Sequence, residues 1–421
     1  MNIISILYNL IFIPIGRLLI LILKFFNKKI ADKENNFRKA LESLNKIEGH
    51  RRIWFHTASM GEFEQAVPII EILKSRNPDI KIIVSFYSPS GYNNRKNFPL
   101  ADAVCYLPFD SKRNAKKFID VVKPDAAVFV RYEIWRNLME ELSKRRIPAY
   151  LIDATRHNGK FANNNFLMRI FFKSTYNYFS EIFVINVEHS EYFKSLNLST
   201  KTTVLSDTRF DRIYNKVTSA KEKPILNNVI FDESDFILIA GSCWEPDETL
   251  MNSAMKLLPK NISDSIRIIF VPHEPTTEHI EKLSAKLDEY ILFSRINETG
   301  KLKERHIIVD SIGKLLGLYS IADAAYIGGA FGVGVHSTAE PAGYGIPLSC
   351  GTKMKNSPDA INLQKLGALQ VVSTPAELAA WLEEIITSKE NRLAIGEIAR
   401  NYVNSSIGSS QIIAEKLLGI H

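Results

Sequence analysis

From Ile53 onward, short runs of β-branched, aromatic and small apolar residues alternate with amphipathic runs of helical length. Strand-like runs fall at 53–56, 80–86, 103–107, 126–130, 149–153 and 182–186. Helical patterns such as 65–76, 112–122 and 137–146 separate them, and Asn77-Pro78, Lys123-Pro124 and Ile147-Pro148 punctuate the joins. This alternation predicts an α/β fold, a parallel sheet with helices on both faces. Its crossovers should be right-handed. The rhythm repeats, with strands at 236–240, 267–271, 291–293, 306–309, 324–327 and 348–350. Helices are expected at 247–258, 277–287, 314–320, 361–366 and 376–388, and one or two more over 391–418. Between the two halves, 206–228 is polar and short of apolar periodicity, and reads as the passage between domains.

A length of 421 residues exceeds what one core usually organises, so two domains are expected. The boundaries read as an anchor at 1–30, one α/β domain at 31–215 and a second at 216–421, with the last helix packing back on the first. A net charge of +7, spread along the chain, suits an anionic membrane surface or a phosphorylated substrate. No nucleic-acid-binding signature accompanies it, so nucleic acid is not an expected partner. Cys105, Cys243 and Cys350 are isolated and off metal spacing, which points to a reducing compartment.

The N-terminus differs from the rest. Residues 2–26 are almost all apolar, interrupted by Pro14, Gly16 and Arg17, with Lys24, Lys28, Lys29 and Lys33 around and after its end. Positive charge before the run and a small-residue cleavage site after it, both needed by a signal peptide, are missing. Three readings fit: a single span, a bent anchor lying in the interface, or a buried core helix. For the first two, the lysines favour a cytoplasmic globular body.

Residues 53–64, IWFHTASMGEFE, carry the sharpest chemistry. A buried strand runs through small residues, Ser59 and Gly61 among them, to a helix mouth bearing Glu62. Free N–H groups and one acid then sit at the carboxyl end of a parallel sheet, where such folds bind ligands. Glu62 reads either as a first-turn helix carboxylate or as a working acid. Residues 129–137 deliver Glu133 at a strand end, flanked by Arg131, Tyr132 and Trp135; an ion pair and a binding role both fit. After the strand at 149–153, Arg156 has the planar fork to hold an anion. In the second half, Gly241-Ser242 follows a strand and precedes an acid-rich helix start. Pro272-His273-Glu274 closes another strand; His273 has no second ligand at zinc spacing, so no metal is expected. The densest stretch, 326–347, holds glycines at 328, 329, 332, 334, 343 and 345, with Phe331, His336, Ser337 and Glu340. It should lead into a helix near Ser337, where Ser337 and Glu340 have capping-box spacing, and where N–H groups would meet a phosphate. It is neither a Walker loop nor a dinucleotide fingerprint.

In order and spacing these stretches resemble the 3-deoxy-D-manno-octulosonic acid (Kdo) transferases of lipopolysaccharide assembly. The resemblance is carried by the apolar N-terminus, Ser59-Met60-Gly61-Glu62, Glu133-Ile134-Trp135-Arg136-Asn137 and the DTRFD run at 207–211. Gly241–Glu248, Pro272–Glu274 and the glycine-rich 328–342 complete it. It implies a GT-B enzyme, two Rossmann-like domains facing a central cleft, inverting and metal-independent, with no cofactor beyond its donor. The donor would be CMP-Kdo and the acceptor a lipid A precursor, lipid IVA, at the cytoplasmic face of the inner membrane. By the same resemblance Glu62 is the general base, and Ser59, Gly61, Glu133 and Arg156 lie on the acceptor side. Gly241, Ser242, Pro272, His273, Gly329, Phe331, Gly332, Gly334, His336, Ser337 and Glu340 would hold CMP. The chain departs from the family at Ser337 (commonly asparagine), at Ser206 (often glycine), and in lacking an arginine between Pro272 and His273. These departures bear on the CMP contacts more than on the fold or Glu62. The competing readings are a GT-B transferase using a UDP-sugar, and an inactive membrane-tethered nucleotide- or lipid-binding module.

Overall fold

The computed structural model describes residues 3–26, 51–156, 165–222, 225–226, 229–232, 234–296 and 300–419. The chain divides into two compact units, Met1–Arg212 with Gly408–His421, and Ile213–Ile407.

The first unit is built on β1 (Arg52–Thr57), β2 (Lys81–Phe86), β3 (Ala103–Tyr106), β4 (Ala126–Val130), β5 (Ala149–Ala154), β6 (Glu181–Val184) and β7 (Lys201–Val204). These form one sheet in the order β3-β2-β1-β4-β5-β6-β7, every pair parallel. The strands are apolar on both faces because helices cover both. One core layer gathers Trp54, Phe118, Phe129 and Leu151; the other gathers Phe55, Phe63, Ile70 and Val128, together with Ile413 and Leu417 of the C-terminal helix Ser409–Leu418. The direction of winding reverses between β1 and β4, which makes their carboxyl ends the expected ligand edge.

The second unit contains β8 (Val229–Ile230), β9 (Phe236–Cys243), β10 (Ile266–Pro272), β11 (Tyr290–Leu292), β12 (Gly300–Lys301), β13 (His306–Ile308), β14 (Ala324–Ile327), β15 (Leu348–Cys350) and β16 (Leu369–Val371). Its main sheet runs β11-β13-β10-β9-β14-β15-β16, with β8 and β12 pairing separately. Here the switch point lies between β9 and β14.

Two expectations need correction. The polar passage at 206–228 contains a helix, Arg209–Glu222. Phe210, Ile213 and Val217 are buried at helical spacing; three apolar positions make a stripe too narrow to stand out among the charges. The helix expected near Ser337 starts at Ala339 with Thr338 as N-cap and no side-chain cap hydrogen bond, so Ser337 and Glu340 form no capping box. The strands β7 and β16 and the helices Pro89–Arg95, Phe166–Tyr176 and Val187–Ser195 were not foreseen. Lys28, Lys29 and Lys33 lie outside the described residues. No described helix is long and apolar enough to cross a membrane.

Candidate functional sites on the two units

In the first unit the switch point carries two carboxylates. β1 ends at Thr57, and the helix Met60–Arg76 begins three residues later with Ser59 as N-cap. Ser59 Oγ accepts the Glu62 N–H (3.4 Å), while Glu62 Oε2 reaches back to the Ala58 N–H. Gly61 is exposed, with open space where a side chain would stand. Glu62 is thus a first-turn helix carboxylate, and its bond to the Ala58 N–H holds the carboxyl at the helix mouth. The carboxyl is half-buried. Burial first, and the Glu133 charge second, raise it above the ordinary carboxylate value, against the pull of the Ala58 N–H and His56.

Glu133 follows β4, across the switch point. Its Oε2 lies 2.9 Å from His56 Nε2 and accepts the Trp135 Nε1–H (2.7 Å). Behind it, Trp54 Nε1–H donates to Ser85 Oγ (2.8 Å), and Ser85 Oγ lies 2.9 Å from His56 Nδ1. The Ser85 carbonyl also lies 3.2 Å from His56 Nδ1, and Trp135 Nε1 lies 3.1 Å from His56 Nε2. Arg131 pairs with Asp207 and Gln65 (2.8 Å each). Arg156 belongs to a different surface. Its N–H donates to His189 Nδ1 (3.2 Å), and its guanidinium stands 5.8 Å from the Tyr192 ring centre, beside a hollow of about 230 Å³ shared with Arg169 and Glu188.

In the second unit three stretches meet at the β9–β14 switch point. β9 bulges at Ser242, which adopts φ +52°, so that Val271 pairs with Gly241 and Pro272 with Cys243. Gly328 lies against this bulge; a β-carbon there would come within 2.4 Å of the Ser242 carbonyl. Gly329 turns the loop with φ +92°, and its carbonyl accepts the Gly332 and Gly334 N–H groups (3.0 and 3.1 Å). Asp247, wholly buried, ties the turn to the loop. Its Oδ2 accepts the Trp244 N–H (2.9 Å) and Gly329 N–H (3.1 Å), and its Oδ1 accepts the Tyr326 hydroxyl (2.9 Å). The rings of Trp244, His273 and His336 cluster, with centres 4.9 Å (Trp244–His273) and 4.3 Å (His273–His336) apart, and Trp244 Nε1–H donates to His336 Nε2 (3.4 Å). Phe331 rests on Gly351. Gly241, Ser242, Pro272, His273, Gly328, Gly329, Gly332, Gly334 and His336 are thus gathered. Ser337 is exposed past the loop, and the Tyr319 and Tyr344 phenols are raised by burial first and by the charge of nearby Glu340 second. Among the described residues no group of three or more His, Cys, Asp or Glu could hold a metal ion.

Residues 31–212 match the family model described as 3-deoxy-D-manno-octulosonic-acid transferase (kdotransferase). The chain is 25% identical over 373 residues to a 3-deoxy-D-manno-octulosonic acid transferase of Haemophilus influenzae, covering 87% of this chain and 86% of that one. It is 28% identical over 352 residues to the Aquifex aeolicus protein of the same name, covering 83% and 89%. The Chlamydophila psittaci protein is 29% identical over 337 residues, covering 75% and 73%. Over most of its length the chain is thus similar in sequence to Kdo transferases.

Solved structures establish the fold independently. A UDP-GlcNAc 2-epimerase of Neisseria meningitidis aligns with a TM-score of 0.60 at 14% identity, covering 87% of this chain and 99% of that one. Acinetobacter baumannii MurG aligns at 0.53 and 13%, covering 88% and 99%. The chain is accordingly a GT-B-type α/β protein. Sequence reasoning missed three members of its sites. His56 and Ser85 look like ordinary strand residues, and only a polar pair inside two apolar strands hints at them. Asp247 is one acid of an acid-rich helix start, and with Trp244 as N-cap, whose indole cannot accept a bond, no capping-box pattern singles it out.

Proposed function

We propose that this protein moves Kdo from CMP-Kdo to a hydroxyl of a lipid A precursor, lipid IVA, with inversion, at the cytoplasmic face of the inner membrane. The observation that carries the reading is the pairing of full-length kinship with the position of Glu62. Relatives bearing that name extend over 83–87% of this chain in two of the cases above. The switch point of the acceptor unit holds a carboxyl whose proton affinity is raised by burial and Glu133. A carboxylate of raised basicity is suited to accept a proton from an alcohol. In the step, the acceptor oxygen bonds to the anomeric carbon, the bond from that carbon to the CMP oxygen breaks with its electrons going to the phosphate, and the hydroxyl proton passes to Glu62. Glu133, held by His56 and Trp135, orients the acceptor, with Ser59 and Gly61 lining the helix mouth. Arg156, further along the sheet edge, takes an anionic group of the same lipid. On the donor unit the glycines of the Gly328–His336 loop and the Gly241-Ser242 bulge let the phosphate approach the backbone closely. The Trp244–His273–His336 cluster offers ring surface to the base.

The test is incubation with freshly made CMP-Kdo and lipid IVA, followed by mass spectrometry of the lipid. Each transfer appears as one Kdo-sized step in mass. A lipid unchanged by wild-type protein, or a thermal shift with UDP and none with CMP, sinks the reading.

A further inference from the structure

Residues 3–26 are helical throughout: Ile3–Leu7, a π-helical turn Tyr8–Phe12, then Ile13–Phe26. One edge of this helix is polar. Ser5, Tyr8 and Asn9 have the i, i+3, i+4 spacing of a single face, and all three are bonded into the first unit. Ser5 Oγ donates to Glu140 and accepts from Arg136 Nε–H (2.9 Å). The Tyr8 hydroxyl donates to Asp110 Oδ2 (3.0 Å). Asn9 and Asn137 exchange two side-chain amide hydrogen bonds (2.9 and 3.0 Å). Most of the other side chains described on this helix are turned outward. Leu10, Phe12, Ile15, Leu18, Leu19 and others are between 47% and 69% exposed. An apolar surface of that extent is a binding surface.

Its occupant follows from chain connectivity and charge. The N-terminal end is fixed to the body by the bonds above. The other end, Phe26, must return to β1 of the same unit at Arg52 through residues 27–51. That connection has eleven charged residues in 25 and no run able to re-enter a bilayer, which takes about 20 apolar residues. A helix crossing the membrane would leave its ends on opposite sides, whereas both ends of this one belong to the same body. The 17 residues beyond Asn9 reach only about 25 Å. No Asp or Glu occurs before Asp32, while Arg17, Lys24, Lys28 and Lys29 do, which matches an anionic leaflet. Phe166 and Leu167, each 73% exposed, begin the helix whose Phe171 ring centre lies 5.6 Å from that of Tyr8, so exposed apolar residues also stand on the element that neighbours the anchor.

We infer that residues 3–26 are a monotopic anchor lying in the plane of an anionic leaflet, with a polar edge that is a structural part of the acceptor unit. The edge docks on the helix Arg136–Lys144, directly after Glu133 and Trp135. Removing the anchor therefore uncovers the buried Arg136 and strips partners from Asn137 and Asp110, beside the carboxylate proposed to orient the acceptor. The inference rests on the membrane-surface part of the proposed function and not on its chemistry, and none of its tests requires turnover.

Three measurements on the full chain decide it. The native cysteines are buried, so an impermeant maleimide should not reach them in the folded protein. A cysteine-bearing N-terminal tag, or Asn27→Cys, should stay unlabelled in intact spheroplasts and react after lysis. Labelling of either from outside overturns the topology. Tryptophan fluorescence from Phe12→Trp should be quenched by brominated lipids in phosphatidylcholine–phosphatidylglycerol vesicles. An unquenched signal overturns the lipid assignment. Asn9→Leu keeps the segment apolar but breaks the exchange with Asn137, so Tm should drop by several degrees and hydrogen-exchange protection should fall in residues 136–144. An unchanged Tm and exchange pattern overturns the docked edge.

Discussion

Glu62 and Asp153 are both displaced carboxyls in the first unit, and they differ in what the displacement does. Glu62 is half-buried at the helix mouth. In its proposed role as base it must be ionised, so activity should be lost as pH falls through its raised pKa, with the acid limb above the usual carboxylate range. Glu62→Gln should lower kcat by roughly 10²–10⁴ with little change in KM. Glu133→Gln removes the second cause of the shift, so whatever activity remains should keep its acid limb at lower pH than wild type. A limb that stays put would show that Glu133 does not act on Glu62. Asp153 is wholly buried with φ +51°. Thr208 Oγ1 lies 2.8 Å from the Gln65 carbonyl and 2.5 Å from Asp153 Oδ2, and it has one proton to give. If that proton goes to the carbonyl, Asp153 must carry its own and donate it to Thr208. Burial, then Asp207, raise Asp153 to about 8. A raised pKa means the folded state holds a proton that the unfolded chain has released, so stability falls as pH rises from about 4 toward 8. Asp153→Asn keeps the neutral form's hydrogen bonds and should flatten that slope, leaving the variant the more stable of the two at pH 9. Urea titrations across pH measure it, and parallel slopes would mean that Asp153 is ionised when folded. The sequence revealed Glu62, because a helix start after a buried strand is a local signal. It did not reveal the Asp153–Thr208–Gln65 lock, which joins residues up to 143 positions apart.

At the scale of elements, most strands were readable because parallel strands are apolar on both faces and proline ends the helices between them. β7 was missed because KTTV is exposed or half-exposed throughout, an edge strand without an apolar run. The glycine-rich loop was legible as a loop, while its shape depends on a partner in another element. Asp247 holds three donors, two of them backbone N–H groups on either side of the switch point. Asp247→Ala leaves them unpaired in a dry site, which should cost about 2–4 kcal/mol. Because the bonds fix where the loop stands, it should also weaken CMP binding at least about 10-fold, read by calorimetry. Asp247→Asn retains one acceptor oxygen and should recover part of both losses. If CMP affinity is untouched in the alanine variant while stability falls, the loop is not the nucleotide site. The rings of Trp244, His273 and His336 come from three elements, and no single-sequence pattern foretells their clustering.

At the scale of the whole chain, the last helix belongs to the unit that the chain left two hundred residues earlier. Ser409–Leu418 buries Ile413, Ala414 and Leu417 in the core layer beneath β1 and β4. Its N-terminus, with Gly408 in the left-handed region at φ +102°, is held by Asp211, whose two carboxylate oxygens accept the Gly408 and Ser410 N–H groups (2.6 and 2.8 Å). A carboxylate on two free N–H groups at a helix start is a charge-assisted cap. Burying one isoleucine and one leucine contributes about 3–6 kcal/mol, a large share of the 5–15 kcal/mol typical of a folded domain. A chain ending at Ile407 should therefore lose hydrogen-exchange protection in β1 and β4 while β9 and β14 stay protected. Because such a truncation risks not expressing at all, Asp211→Ala provides the graded version. It leaves the apolar contacts and removes only the cap, so it should cost about 1–3 kcal/mol, with faster exchange confined to Ser409–Leu418 and the strands it covers. Equal loosening of both sheets would mean that the helix supports the chain as a whole, and the division of its residues between the two units would be wrong.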